Sequence, residues 1–104
     1  MLAFSLTTIG FVMDTIAISA RISGRVQGVA FRVWTRSEAK RRGLCGWVRN
    51  EPDGAVLAFI MGPAVDVDEM VRALKKGPLA ARVTEVLWEN AEVDPEITKF
   101  RITG

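Results

Sequence analysis

Two glycines and an arginine mark the part of this chain best suited to chemistry. The run Gly24-Arg25-Val26-Gln27-Gly28-Val29-Ala30-Phe31-Arg32 follows a strand pattern and leads into a helix pattern that begins near Phe31. A glycine-bracketed turn of this kind can direct main-chain N–H groups to the positive end of a helix, where phosphate and other anions bind. Arg32 adds a planar cation that pairs with two phosphate oxygens at once. The spacing therefore indicates a phosphate site with its own arginine.

A purely structural interpretation of the same run stays open. Glycines between a strand and a helix commonly serve only tight turning, and surface arginines are commonly solvated. The run lacks the Gly-Lys-Ser/Thr ending of a Walker A loop and the Gly-x-Gly-x-x-Gly spacing of a dinucleotide-binding fingerprint. These two nucleotide-binding motifs are excluded, and a simple turn is not.

A second run carries the next candidate residue. Gly46-Trp47-Val48-Arg49-Asn50-Glu51-Pro52-Asp53-Gly54-Ala55-Val56 predicts a strand, a Pro-Asp-Gly turn and a second strand. Asn50 stands just before the turn, where its amide could orient a water molecule, although it cannot act as a base. It could equally cap the turn through a side-chain bond. Trp47 and Phe31 are interpreted as core residues without a catalytic role.

The composition excludes several kinds of chemistry. The chain has 104 residues, one Cys and no His, which predicts one domain with no internal disulfide and no zinc site of Cys and His ligands. The missing His removes the commonest general base and every His-dependent triad. Five residues after Cys45 stands Glu51 rather than arginine, so a phosphocysteine mechanism is not supported. Cys45 is interpreted as a small buried or half-buried filler.

Charge and the apolar start of the chain bear on partners and location. The net charge of +2 is too small to imply nucleic acid, and Lys40-Arg41-Arg42 fits a solvated helix end. Residues 1–14 are predicted to be an apolar leader, either disordered, packed on the domain as a strand, or upstream of a true start at Met13. The leader lacks the basic region of a secretory signal and is too short to span a bilayer. We expect a cytoplasmic protein with no membrane association.

Hydrophobic periodicity predicts a ferredoxin-like α+β domain over residues 15–104. Strands are predicted at 15–23, 44–50, 55–61, 81–89 and 99–103, and helices at 31–42 and 65–76. Gly62-Pro63 is predicted to break the sheet after the third strand. The order βαββαβ indicates an antiparallel sheet with two helices packed on one face. The predicted core-facing residues are Ile16, Ile18, Ala20 and Ile22 of the first strand, Phe31, Trp34, Thr35 and Ala39 of the first helix, and Val67, Met70, Val71 and Leu74 of the second.

Together, the two runs resemble the signature segments of the acylphosphatase family in form, order and separation. The resemblance extends to Gly62-Pro63 and to Gly77-Pro78-Leu79-Ala80-Ala81-Arg82-Val83, and covers about residues 16–102. The chain departs from the family pattern in its leader and in its end at Ile102-Thr103-Gly104, where many relatives carry a terminal aromatic residue. Neither departure touches Arg32 or Asn50.

The resemblance implies a hydrolase that cleaves acyl phosphates to carboxylate and inorganic phosphate without a metal or other cofactor. It implies that Arg32 binds phosphate, that Asn50 orients the attacking water, and that 17 residues, 33 to 49, separate the two as in the family. It also implies that the water's proton passes to a phosphate oxygen of the substrate and that inorganic phosphate inhibits. We expect a monomer. The phosphate-binding residues it implies are Arg25, Val26, Gln27, Gly28, Val29, Ala30, Phe31 and Arg32.

Three alternatives remain at this point. Gln27 could hold the loop through its side chain rather than contact the ligand. The domain could be an acylphosphatase-like module that handles carbamoyl phosphate or binds an anion without turnover of its own. A ferredoxin-like nucleic-acid module is the third, but an RNA-recognition domain displays sheet aromatics within its own signature segments, which we do not find.

Overall fold

The computed structural model describes residues 14–104, so the predicted leader at residues 1–14 lies outside the described residues except for Asp14. The elements in chain order are β1 (Thr15–Arg25), α1 (Phe31–Arg41), β2 (Cys45–Asn50), β3 (Val56–Pro63), α2 (Ala64–Lys76), β4 (Arg82–Ala91) and β5 (Phe100–Ile102). Each predicted element is present, and its bounds differ from the prediction by a few residues at most.

The strands form one sheet in the order β4-β1-β3-β2-β5. The three pairings among β4, β1, β3 and β2 are antiparallel, whereas β5 pairs parallel to β2. The predicted ferredoxin-like plan is confirmed, and the fifth strand makes the sheet mixed rather than antiparallel throughout. This pairing carries the last residues of the described chain back to the end of β2.

Both helices cover one face of the sheet and bury the core against it. The predicted inward faces are confirmed, since Ile18, Ala20 and Ile22 of β1 are buried and Ile16 packs against them. In α1 the residues Phe31, Thr35 and Ala39 are buried, and in α2 the residues Val67, Met70, Val71 and Leu74 are. The apolar faces that recur every 3.6 residues in the helices and every two residues in the strands thus pack together in a single layer. Within residues 14–104 no helix is long and apolar enough to cross a membrane.

Gly62-Pro63 does not break the sheet where the sequence predicts it. Strand β3 continues through Pro63, which lies opposite Thr15 of β1. On its other side β3 pairs with β2 only as far as Met61, because β2 begins at Cys45. Proline is tolerated at the end of a strand, where its missing N–H interrupts no continuing ladder. The helix α2 then begins directly at Ala64.

Trp47 is not a core residue, contrary to the prediction. In β2 its neighbour Val48 is fully buried toward the helices, so the strand alternation turns Trp47 to the opposite face of the sheet. There it stacks against Phe59 of β3, with ring centroids 6.1 Å apart, and the Arg49 guanidinium lies 4.9 Å from its ring.

A bulge at the end of β1 prepares the chain for the loop that follows. The pairing of β1 with β4 shifts register between Ser23 and Gly24, and Gly24 has φ of +124°. A Cβ at Gly24 would lie 2.2 Å from the Arg82 carbonyl oxygen, so only glycine fits there. The first glycine of the sequence motif is therefore a packing requirement of the sheet, and it sets the direction in which the loop leaves.

Candidate active site

The loop between β1 and α1 presents unpaired main-chain N–H groups at the start of a helix. No main-chain N–H from Gln27 to Arg32 donates to an acceptor within residues 14–104. The residue preceding the helix, Ala30, has no side chain that could cap it. Because the first N–H groups of a helix lack intrahelical partners and lie at its positive end, they are free to bind an anion.

Two residues in this loop adopt left-handed conformations. Gly28 has φ of +75° and Ala30 has φ of +60°, and Ala30 is the single non-glycine residue with positive φ among residues 14–104. An alanine in this region costs on the order of 1 kcal/mol and is retained where the surroundings impose it. Alternation of right- and left-handed residues turns successive N–H groups to the same side, which produces an anion-binding concavity.

Arg32 and Asn50 meet at one main-chain oxygen. Nη1 of Arg32 donates a hydrogen bond to the Gly104 carbonyl oxygen, which also accepts the main-chain N–H of Asn50 at 3.3 Å. The guanidinium has five N–H donors in a fixed plane. One bond to Gly104 orients the group and leaves other donors for a ligand.

The side chain of Asn50 has an unpaired acceptor. Its Oδ1 atom is buried and has no hydrogen-bond partner among the described residues. The turn cap left open for Asn50 is made by another residue, since Oδ1 of Asp53 accepts the N–H of Ala55 at 3.1 Å. A buried amide oxygen without a partner is costly unless a ligand or water occupies it. The Oδ1 atom of Asn50 is thus a candidate acceptor for a ligand or a water molecule.

A small cavity of about 170 Å³ brings the two sequence motifs together. It includes the first helical turn, the end of β2 and one residue of β5. Of the predicted site residues, Arg25, Gln27 and Val29 do not line it. Its walls are Val26, Gly28, Ala30, Phe31, Arg32, Val33, Asn50 and Ile102.

Gln27 reaches away from the cavity and joins the two motifs. Its Nε2 donates to the carbonyl oxygens of Glu51 at 2.8 Å and Ala55 at 2.9 Å, both in the turn between β2 and β3. This is the loop-holding role that the sequence left open. Its side chain therefore fixes the loop between β1 and α1 against the turn that follows Asn50.

Larger cavities lie elsewhere, but they lack this convergence of groups. One of about 670 Å³ is lined by Lys40, Cys45 and Lys99, and one of about 400 Å³ lies between the helices beside Arg42. Within the described part of the chain, the Arg32–Asn50 cavity alone combines a free helix N-terminus, a guanidinium and an unpaired amide oxygen. No group of three or more metal-ligating side chains occurs in that part either.

A carboxylate on α1 has a shifted pKa outside the cavity. The hydrogen bond from Arg42 to Glu38, at 2.6 Å, and a second from Arg41 lower the pKa of Glu38 below its usual 4.5. These contacts hold the C-terminal half of α1 and take no part in the cavity. We therefore expect them to affect the pH dependence of the unfolding free energy.

Three contributors to the site were missed by the sequence interpretation. Val33 and Ile102 line the cavity, and the Gly104 oxygen accepts hydrogen bonds from both Arg32 and Asn50, so the expectation that the end of the chain touches neither residue is wrong. The position of Val33 directly after Arg32 is the one sequence signal that it has, and an exposed helical valine carries no pattern of its own. Ile102 and Gly104 reach the site only through the parallel pairing of β5 with β2, and no local signal predicts that pairing.

Comparisons with known proteins converge on one family. A family model described as Acylphosphatase matches residues 18–102. A protein of Rhizobium etli named Acylphosphatase is 51% identical over 88 residues, which are 85% of this chain and 94% of that protein. The structure of an acylphosphatase from Coxiella burnetii has a TM-score of 0.83 at 33% identity, covering 86% of this chain and 94% of that one. Full-length HypF, solved in a phosphate- and nucleotide-bound form, has a TM-score of 0.78 at 27% identity over 89% of this chain but 12% of its own.

Proposed function

This chain belongs to the acylphosphatase family and is an enzyme that hydrolyses acyl phosphates, and we propose that the Arg32–Asn50 cavity is its active site. The observation that carries the assignment is the convergence of three kinds of group on one small space. Gly28, Ala30, Phe31 and Arg32, which have free main-chain N–H groups, line it together with Asn50, whose Oδ1 is unpaired, and Arg32 adds its guanidinium. Together they match what a phosphoryl group and an attacking water need.

The loop and Arg32 bind the phosphate. A phosphoryl dianion takes several donors, and main-chain N–H groups provide them without the entropy cost of ordering long side chains. Arg32 adds a full positive charge held in orientation by Gly104. As the transition state develops, negative charge is redistributed over the phosphoryl oxygens, and these preorganised donors stabilise it.

Asn50 places the water that attacks phosphorus. Its Oδ1 accepts a hydrogen bond from the water and directs an oxygen lone pair at the phosphorus atom. The new bond forms between the water oxygen and phosphorus, and the bond from phosphorus to the carboxyl oxygen breaks. The bonding electrons leave with the carboxylate, whose acid has a pKa near about 4 and therefore needs no protonation by the enzyme. The water's proton passes to a phosphoryl oxygen, so the products are carboxylate and inorganic phosphate.

A hydrolysis assay with benzoyl phosphate tests the proposal. We expect turnover that is unchanged by a chelator, because Arg32 and the N–H groups provide the charge stabilisation, and competitive inhibition by inorganic phosphate, because it occupies the same donors. Carbamoyl phosphate in a parallel assay tests the alternative of a module without independent turnover. Loss of activity on chelation, or phosphate inhibition that is not competitive, would contradict the proposed site.

We also propose that the enzyme is a cytoplasmic monomer that does not bind nucleic acid. The small net charge of +2 supports the last point. Size-exclusion chromatography, cell fractionation and titration with single-stranded RNA at physiological salt test the three statements separately. A dimer, a membrane-bound fraction or tight RNA binding would each overturn the corresponding one.

A further inference from the structure

The volume of the active-site cavity limits what it can enclose. At about 170 Å³ it is smaller than the pockets of about 300–1,000 Å³ that enclose drug-sized ligands. It has room for a phosphoryl group and a few waters, since one water takes about 30 Å³. If the phosphate lies on the N–H groups and Arg32, as the proposed function requires, the acyl group must extend to the cavity mouth.

The mouth carries an exposed aliphatic side chain. Val33 is 50% exposed and lines the cavity directly beside Arg32. Ile102 of β5 lines the same cavity and is packed against the core on its other side. A β-branched residue on an exposed helical turn has low helix propensity and leaves apolar surface in water. Neither the core nor the helix therefore accounts for Val33.

The placement of Val33 is unusual within this chain. Six large apolar side chains are exposed among residues 14–104, and Val33 is the one among them that lines this cavity. The six are Val33, Val65, Leu79, Leu87, Trp88 and Val93. Isolated exposed apolar residues are ordinary, but one at the mouth of a phosphate site faces the part of the substrate that the loop does not bind.

We propose that Val33 is a specificity-determining residue that contacts the acyl group and, with Ile102, favours acyl phosphates with an extended apolar or aromatic acyl part. This inference rests on the proposed function. The enzyme then discriminates by apolar contact at its rim, while the phosphate donors bind every acyl phosphate alike. Arg36, one turn further along the helix, would instead favour an acyl group that carries its own carboxylate.

The experiment compares kcat/KM for benzoyl phosphate and acetyl phosphate in matched variants. Val33→Thr replaces one methyl group by a hydroxyl group in the same shape, and Val33→Leu extends the apolar reach. Val65→Thr is the control, because Val65 is 59% exposed on α2 at the opposite end of the sheet. Inorganic phosphate inhibition is measured for each variant to monitor the phosphate donors.

The benzoyl-to-acetyl ratio of kcat/KM is the deciding quantity. We expect Val33→Thr to lower it about fourfold, which corresponds to about 0.8 kcal/mol for one apolar carbon. Val33→Leu should raise it and Val65→Thr should leave it unchanged, with phosphate inhibition constant throughout. An unchanged ratio in both Val33 variants overturns the inference, as does a higher kcat/KM for succinyl phosphate than for benzoyl phosphate in the wild type. If the wild type hydrolyses neither substrate, or if inorganic phosphate does not inhibit it competitively, the proposed function itself is removed.

Discussion

At the scale of single residues, we propose that Arg32 and Asn50 perform different parts of one reaction. Arg32 is held by the Gly104 oxygen, and Asn50 has an acceptor with no partner in the described chain. In the proposed mechanism the first is a charged donor to the phosphoryl group, and the second is an acceptor for the attacking water. Their removal should therefore have different kinetic consequences.

Replacing Arg32 should weaken both phosphate binding and turnover. Each charge-assisted hydrogen bond is worth about 1.5–3 kcal/mol, so losing two or more in Arg32→Ala should lower kcat/KM at least about a hundredfold. Inorganic phosphate should inhibit the variant much more weakly. Arg36→Ala removes a cation from the same helix and should change kcat/KM less than about threefold. An equal loss of kcat/KM in the two variants would mean that the positive charge of the helix, and not contact between Arg32 and phosphate, accounts for the effect.

Replacing Asn50 should separate turnover from binding. Loss of one preorganised polar group in an active site costs about 10²–10³ in kcat, and Asn50→Ala should fall in this range. Its inhibition by inorganic phosphate should stay within about threefold of wild type, because the donors from Gln27 to Arg32 remain. Asn90→Ala, on an exposed part of β4, is the control. Near-normal turnover of Asn50→Ala would remove Asn50 from the mechanism.

The family resemblance singled out Arg32 and Asn50 from the sequence, and the structure brings both to one cavity, while their roles stay predictions. Neighbouring residues were harder to interpret. The role of Gln27 was left between ligand and loop, and the two bonds to Glu51 and Ala55 favour the loop. Val33 received no role, since an exposed valine in a helix has no recognisable pattern of its own.

At the scale of elements, hydrogen bonds connect the loop between β1 and α1 to the turn between β2 and β3. Gln27 donates to two carbonyl oxygens of the turn, and Asn50 lies at its start. The position of Asn50 relative to the loop therefore depends on a side chain outside the cavity. We therefore propose that Gln27 is a positioning residue.

Gln27→Ala should affect both stability and catalysis. Two hydrogen bonds of about 1 kcal/mol each are lost, so the free energy of unfolding should fall by about 1–2 kcal/mol. The rate should fall as well, because the spacing between loop and Asn50 is no longer fixed. Denaturant unfolding and kcat, measured at one temperature, test this. A lower unfolding free energy with unchanged kcat would mean that the hydrogen bonds of Gln27 have a structural role only.

The ion pairs on α1 predict a pH dependence of stability. Because the pKa of Glu38 is lowered in the folded state, chiefly by Arg42, its contribution is present above pH 4.5 and is lost as pH falls through the folded value. Glu38→Gln should reduce the unfolding free energy by less than about 1 kcal/mol near pH 7 and by a smaller amount at pH 3. Glu85→Gln, on exposed β4, serves as the control. A larger effect at pH 3 than at pH 7 would contradict the assignment.

The helices and strands were predictable because their hydrophobic patterns are local. The face on which Trp47 lies and the end of β3 were not. The apolar stripes of both helices match the observed buried residues. Trp47 was assigned to the core because aromatic residues usually lie there, whereas the burial of Val48 decides the facing of the strand. Gly62-Pro63 was interpreted as a break in the sheet. The strand β3 nevertheless continues through Pro63, because it still pairs with β1 there although its pairing with β2 has already ended.

At the scale of the whole molecule, the sheet order brings together residues far apart in sequence. Strand β3 lies between β1 and β2, so the loop after β1 and the end of β2 share one end of the sheet. Strand β5 then pairs parallel to β2 and delivers Ile102 and Gly104 to the same place. Such pairing over a long sequence separation leaves no local signature, which is why the family resemblance, and not periodicity, joined the two motifs.

Titration of the ¹⁵N-labelled protein with inorganic phosphate is the most direct test of the central claim. The account predicts saturable shifts of the main-chain amide signals of residues 27–32, with a smaller shift of the Asn50 side-chain amide. In Arg32→Ala the same amides should respond at least about tenfold more weakly. Shifts centred on the basic surface of Lys40, Lys99 and Arg101, with the amides of residues 27–32 unmoved, would contradict it.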